Sequence, residues 1–255
     1  MRDDVGMSIN ELGQPVGPAV AGWTPRPRPE AAVLKGRYCR LERLDARQHA
    51  EQLFDADQLD GRGESWTYLP YGPFAAFADY RRWVEKVCED PELVFYTIVS
   101  TDPAAAGPEH SAVGVLSLLR MQPETGVMEV GHVHYSPRLQ RTRAATEAQY
   151  LLASHIFDDL GYRRYEWKCD ALNAASRAAA QRLGFSYDGT FRQDKVVKGR
   201  NRDTAWYSMV DSEWPATKIR LTSWLSPGNF DVHGRQLTSL DTATTHDPVR
   251  AGSAG

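Results

Sequence analysis

Apolar positions along the chain change period several times, and each change marks an element. RYCRLERL (37–44) alternates apolar and polar residues, which predicts a strand. DARQHAEQLFDAD (45–57) follows with helical spacing, and Asp45 is placed to cap it. Over 73–89 the apolar residues Phe74, Phe77, Tyr80, Val84 and Val87 form a helical stripe, with Pro73 where a helix starts. Three strand-like runs come next: LVFYTIVS (93–100), AVGVLSLLRM (112–121) and GVMEVGHVHY (126–135). PAAAGPEH separates the first two as a loop, and Glu124-Thr125-Gly126 turns between the last two. From Thr142 the period becomes helical through Ala145, Ala148, Leu152, Ile156 and Leu160, with Gly161 as the stop. RRYEWKCD (163–170) alternates strictly, Tyr165, Trp167 and Cys169 against Glu166, Lys168 and Asp170. Asn173 is placed to cap a second helix running to Leu183, stopped by Gly184. Two further strands, FSYDGTFRQDKVV and RDTAWYSMV, are joined through Lys198-Gly199-Arg200-Asn201, and SEWPATKIRLTSWL is a last amphipathic piece.

The predicted order is β-α-α-β-β-β-α-β-α-β-β. A helix that returns to a strand requires a parallel crossover beside the antiparallel hairpins. The class is therefore α/β, with a mixed sheet of about seven strands. Residues 1–30, with GQPVGPAV and TPRPRPE, show no period and read as an extended arm, docked through Trp23 or free. The folded domain spans 31–225. A C-terminal extension covers 226–255, and its end, HDPVRAGSAG, has the composition of a disordered tail.

The chain has 255 residues and a net charge of -3, which gives no reason to expect nucleic acid as an obligate partner. Cys39, Cys88 and Cys169 are odd in number and lack ligand spacing, which favours a reducing, cytoplasmic setting over a disulfide framework. No apolar run is long enough for a membrane helix, and MRDDVGMSIN has no signal-type apolar stretch.

Candidate chemistry concentrates in 126–185. A strand ends at Tyr135-Ser136-Pro137, and RLQRTRAA leads into the long helix. Amides at a helix start lack carbonyl partners and sit at the positive end of the dipole, so they suit a pyrophosphate. Arg138, Arg141 and Arg143 add charge there; the other reading is a solvated basic turn.

Here the sequence resembles the GNAT superfamily of acetyltransferases. Gln140-Arg-Thr-Arg143-Ala-Ala145, then Thr146-Glu147-Ala148, is similar to that family's Gln/Arg-x-x-Gly-x-Gly/Ala pyrophosphate loop. Asn173-Ala-Ala-Ser176 and Arg182-Leu-Gly184-Phe185 resemble the Asn-x-x-Ser and Gly-Phe pair of its ribosomal-protein N-terminal acetyltransferase (RimL-like) branch. The resemblance covers about 36–215 and implies a GNAT fold, a mostly antiparallel sheet whose central parallel pair splays. It also implies acetyl-CoA as co-substrate and direct attack of an amine on the thioester. Two positions depart from the pattern. The loop's middle glycine is Arg143, whose side chain is offered instead as a phosphate donor. Ala180 stands where many relatives carry a tyrosine acid.

The resemblance assigns cofactor contacts to Val133, Tyr135, Arg138, Gln140, Arg141, Thr142, Arg143, Ala144, Ala145, Asn173 and Ser176. The Val133 and Tyr135 amides would polarise the thioester carbonyl. Glu129 is the expected base, or else an ordinary half-exposed strand carboxylate, and Ser176 the expected proton donor to the departing thiolate. Asn173 caps a helix, bonds CoA, or does both. Trp66, Tyr68 and Tyr71 either wall an acceptor pocket or belong to the core. His132 and His134 share one face of a strand, as metal ligands without an evident third, as packed residues or as aids to deprotonation; no metal is expected. No nucleophile motif competes. Acceptors in view are a peptide or protein N-terminus and a small-molecule amine, and a homodimer is compatible with the chain. The rival reading, favoured by Arg143 and Ala180, is a CoA-binding sensor or assembly protein with little catalysis.

Overall fold

Eight strands pair into one twisted sheet, and the order in which they pair places the site. The computed structural model describes residues 8–105, 107–108 and 110–240. In chain order its elements begin with a small hairpin of β1 (Ser8–Ile9) and β2 (Pro15–Val16). Next come β3 (Val33–Lys35), β4 (Cys39–Arg43), α1 (Ala46–Asp57), α2 (Phe77–Glu89), β5 (Val94–Ser100), β6 (Ala112–Gln122) and β7 (Val127–Tyr135). Then follow α3 (Arg143–Ser154), β8 (Arg164–Asp170), α4 (Ala174–Leu183), β9 (Ser186–Val197), β10 (Arg200–Val210) and α5 (Trp214–Trp224). The sheet order is β3-β4-β5-β6-β7-β8-β10-β9. Every neighbouring pair is antiparallel except β7–β8, which the α3 crossover makes parallel.

This is the GNAT fold that the resemblance implies. The sheet is buried on both faces at its centre, and β5 is closed to solvent along its whole length. Tyr96, Ile98, Leu116, Met128 and Tyr165 pack with Leu152 and Ile156 of the α3 segment on one side. On the other, α1 and α2 close over Phe95 and Val115 through Leu53, Tyr80 and Val84. Asp45 caps α1 by accepting from the amides of Arg47 and Gln48. Gly184 ends α4 in the left-handed region at φ 103°, where a side chain would press on Thr217.

Four expectations change. Helix α2 starts at Phe77, not at Pro73: residues 73–76 stay in a loop because Phe74 is drawn against Trp66, with ring centroids 5.5 Å apart. Strand β3 is too short and exposed to show a period, and exists by pairing with β4. The arm holds the β1–β2 hairpin, and Trp23 docks it to the body by donating from Nε1 to the Glu124 carbonyl at 2.8 Å. The α3 helix widens after Ser154, so that Leu160 N–H bonds His155 five residues back. The C-terminal stretch to 240 packs on the body through Phe230 and Leu240. The expected tail, HDPVRAGSAG, lies outside the described residues.

Candidate active site

The parallel ladder between β7 and β8 runs only from Val127↔Arg164 to Val130↔Trp167. Both strands continue, to Tyr135 and Asp170, but they diverge. The cause is a bulge in β7. Gly131 and His134 pair with Ser117 and Val115 of β6, so β7 carries one extra residue there, and His132 takes φ 51°. An extra residue bends and twists its strand, which turns the end of β7 away from β8. Ser136 N–H bonds the Val113 carbonyl on the β6 side at 3.1 Å. Amides alternate along a strand, so those of Tyr135 and Val133 point into the opening.

Beyond Tyr135 the chain turns tightly, with the amides of Leu139 and Gln140 both on the Ser136 carbonyl and Arg141 at φ 61°. Thr142 caps α3 by accepting from Ala145 N–H at 3.1 Å. The amides of Arg143 and Ala144 fall in the first helical turn, where no preceding carbonyl can take them. Gln140 Nε2 donates to the Tyr135 carbonyl at 2.8 Å and ties the loop to the strand end. Arg138 lies against the backbone near Gly107, and Arg141 is exposed. The Arg143 side chain corrects the sequence reading: it is paired with Asp102 and packed over Tyr38, so it is not offered to a phosphate.

A cleft of about 200 Å³ opens from the splayed strands toward residues 65–70, with Glu129, Val133, Asn173, Ser176 and Tyr68 in its lining. Glu129 is buried, not half-exposed. Its carboxylate lies 2.9 Å from Lys168 Nζ and 3.2 Å from Arg120 Nη1. Glu166, its register partner on β8, also meets Lys168, at 2.8 Å. One buried ammonium thus bridges two carboxylates and rests 3.6 Å from the centre of the Trp206 ring. Ser176 Oγ accepts from Trp167 Nε1 at 2.9 Å, which leaves its own proton to donate. Asn173 Oδ1 accepts from Ser176 N–H at 3.0 Å, the capping role read from the sequence.

The three aromatic candidates divide. Tyr68 lines the cleft and donates to the Leu172 carbonyl at 3.2 Å. Tyr71 and Trp66 instead hold the histidines. Tyr71 hydroxyl meets His132 Nδ1 at 2.9 Å, and the His134 ring stacks on Trp66 at 3.7 Å. His134 Nε2 is 2.9 Å from Ser65 Oγ, and its Nδ1 is 3.5 Å from Asp57 Oδ1. Burial lowers both imidazoles to about 4 and raises the Asp57 carboxyl to about 8. Among the described residues no three His, Cys, Asp or Glu side chains gather as metal ligands. Sequence reasoning missed Lys168, Arg120, Ser65 and Asp57 as parts of this region. Only Lys168 carried a signal, a charged residue in a strictly alternating central strand.

Residues 40–186 match the model of the acetyltransferase (GNAT) domain. The chain is similar to the crystal structure of a GCN5-related N-acetyltransferase from Brucella melitensis. The identity is 43% over 86% of this chain and 96% of that one, with a TM-score of 0.81. A GNAT-family structure from Chromobacterium violaceum ATCC 12472 is 40% identical over 79% of this chain and 98% of that one, with a TM-score of 0.71. Among curated proteins, YdaF of Bacillus subtilis (strain 168), provisionally named a ribosomal N-acetyltransferase, is 25% identical. That match covers 70% of this chain and 92% of YdaF.

Proposed function

The chain belongs to the acetyltransferase (GNAT) domain family, and on that premise we propose that it acetylates a primary amine from acetyl-CoA, with a peptide or protein N-terminus as the leading acceptor. The observation that carries this reading is the opened β7–β8 pair, where unspent amides face a cleft that also holds Glu129 and Ser176. The name of YdaF and the Asn173-to-Ser176 motif support the choice of acceptor.

The donor set fits a pantetheine and a pyrophosphate. Acetyl-CoA supplies the activated acetyl group. The amides of Val133 and Tyr135 take the place of a strand partner for the pantetheine arm and polarise the carbonyl to be attacked. The amides of Arg143 and Ala144 form the helix-start anion site, with Ala145, Thr142, Gln140, Arg138 and Arg141 around it. Asn173 holds the α4 start against the same opening. Ser176 Oγ keeps a proton facing the departing sulfur, oriented by the bond it accepts from Trp167. Glu129 takes the proton that an ammonium acceptor must lose, and Lys168 and Arg120 balance its charge while it waits.

Purified protein incubated with acetyl-CoA and a panel of N-terminal peptides and small amines should release CoA and yield acetylated product. Tight acetyl-CoA binding by calorimetry with no turnover across the panel would replace this reading with that of a CoA sensor.

A further inference from the structure

Lys195 and Arg202 sit directly opposite each other across the β9–β10 ladder. Like charges in that position repel and weaken a hairpin, yet here both side chains line the catalytic cleft. Neither makes an ion pair or side-chain hydrogen bond among the described residues, and Arg202 Nε is buried without a partner. A third cation stands close by: Arg120 and Arg202, after desolvation, both push the Lys195 ammonium below its ordinary value. Acids are near but engaged. Glu129 is held by Lys168 and Arg120, and Asp194 accepts from Thr204 Oγ1 at 2.7 Å. Asp194 and Glu129 attract the Lys195 ammonium, but each is engaged elsewhere and neither forms an ion pair with it, and the residues of the helix-start anion site do not line this cavity.

We propose that Lys195 and Arg202 are a specificity site for an acceptor amine that also carries a carboxylate. The inference rests on the acetyl-transfer reading above. The amine enters beside Glu129 and Val133, and its carboxylate lies between the two cations and removes their repulsion. Free acidic amino acids and peptides with an acidic residue close to the N-terminus both present this chemistry.

The test uses matched peptides that differ only by Asp for Asn, or Glu for Gln, just after a common N-terminal residue, together with free aspartate and glutamate. Acidic acceptors should exceed their neutral partners in kcat/KM by about tenfold or more, equivalent to about 1.4 kcal/mol. The two arms show whether a peptide or a free amino acid supplies the carboxylate. Lys195→Glu should erase the preference, chiefly through KM, while raising the melting temperature because it turns a repulsive cross-strand pair into an attractive one. Lys195→Gln should fall between in both. Equal turnover of acidic and neutral acceptors, or a preference that survives Lys195→Glu, overturns the proposal but not acetyl transfer. Should no amine react, acetyl transfer fails by itself, and succinate decides the anion site. It should raise the melting temperature of the wild type and not of Lys195→Glu; equal shifts overturn the site.

Discussion

Arg143 donates twice to the Asp102 carboxylate, from Nε at 2.7 Å and from Nη2 at 2.5 Å, and the two side chains are only 9% and 4% exposed. Its guanidinium lies 4.2 Å from the Tyr38 ring centre and 5.0 Å from that of Phe230. Arg143 therefore fastens two distant segments, the loop after β5 and the C-terminal stretch, to the start of α3.

Arg143→Gly would restore the family residue in the phosphate loop, and from sequence alone acetyl-CoA binding should stay similar or tighten. The ion pair points to a different first effect. Removing one partner leaves Asp102 buried without its cation, a loss of about 3–5 kcal/mol in such sites. Denaturant midpoints should fall by a matching amount, and adding Asp102→Asn should recover part of it. An unchanged midpoint for Arg143→Gly would show that the pair contributes little.

Ser176→Ala should reduce kcat by about 10²–10⁴-fold, the usual worth of a positioned proton donor, with acetyl-CoA affinity nearly unchanged. Trp167→Phe removes the N–H that orients Oγ and should lower kcat by a smaller factor. Calorimetry with acetyl-CoA and steady-state kinetics separate the two effects. Wild-type turnover in Ser176→Ala would end the assignment.

The fold was legible because its central segments keep clean periods, alternation in 163–170 and a helical stripe from Ala145 to Leu160, and because Asp45, Asn173 and Gly184 punctuate them as capping chemistry requires. The tight turn before α3 and the Asn173 cap were legible for the same reason, since both are local. What escaped depends on residues far apart in sequence. Nothing around His132 announces a bulge, yet that extra residue is what turns β7 from β8. Lys168 bridges Glu129 and Glu166 only because the parallel register sets those carboxylates side by side. Arg143 is misread for a similar reason: its partner Asp102 lies 41 residues away.

Glu129→Gln should slow turnover most at low pH, where more of the acceptor is an ammonium that needs a base. The substitution also leaves Lys168 with Glu166 as its remaining carboxylate partner, so a modest loss of stability should accompany it. Lys168→Met separates these contributions. It leaves two adjacent buried carboxylates without their bridge, and should destabilise the protein more than Glu129→Gln does. Rates measured from pH 6 to 9, alongside denaturant midpoints, test both. A Glu129→Gln enzyme with a wild-type pH profile would leave backbone polarisation and proximity as the source of rate.

His134 and Asp57 face each other at 3.5 Å inside the protein. Burial lowers the imidazole from 6.5 to about 4 and raises the carboxyl from 3.8 to about 8. The folded pair therefore holds one proton between about pH 4 and 8, whichever atom carries it. The unfolded pair holds one proton only up to about pH 6.5. Between 6.5 and 8 the folded state thus binds more protons, and stability falls as pH rises, by roughly 2 kcal/mol over that window at about 1.4 kcal/mol per unit. His132 acts on the other side. Its folded value is also about 4, from desolvation first and Lys195 second. The unfolded chain then binds the extra proton between 4 and 6.5, and stability falls as pH drops, by roughly 3 kcal/mol across that range. Together these groups place a stability maximum near pH 6.5. Asp57→Asn cannot titrate, so it should flatten the alkaline limb and steepen the acid limb, because the proton that unfolded His134 binds between about pH 4 and 6.5 is then no longer matched in the folded state. Urea midpoints of both proteins at half-unit steps from pH 4 to 8 give the answer. An alkaline limb that persists in Asp57→Asn would mean that the buried carboxyl is not what gives up the proton.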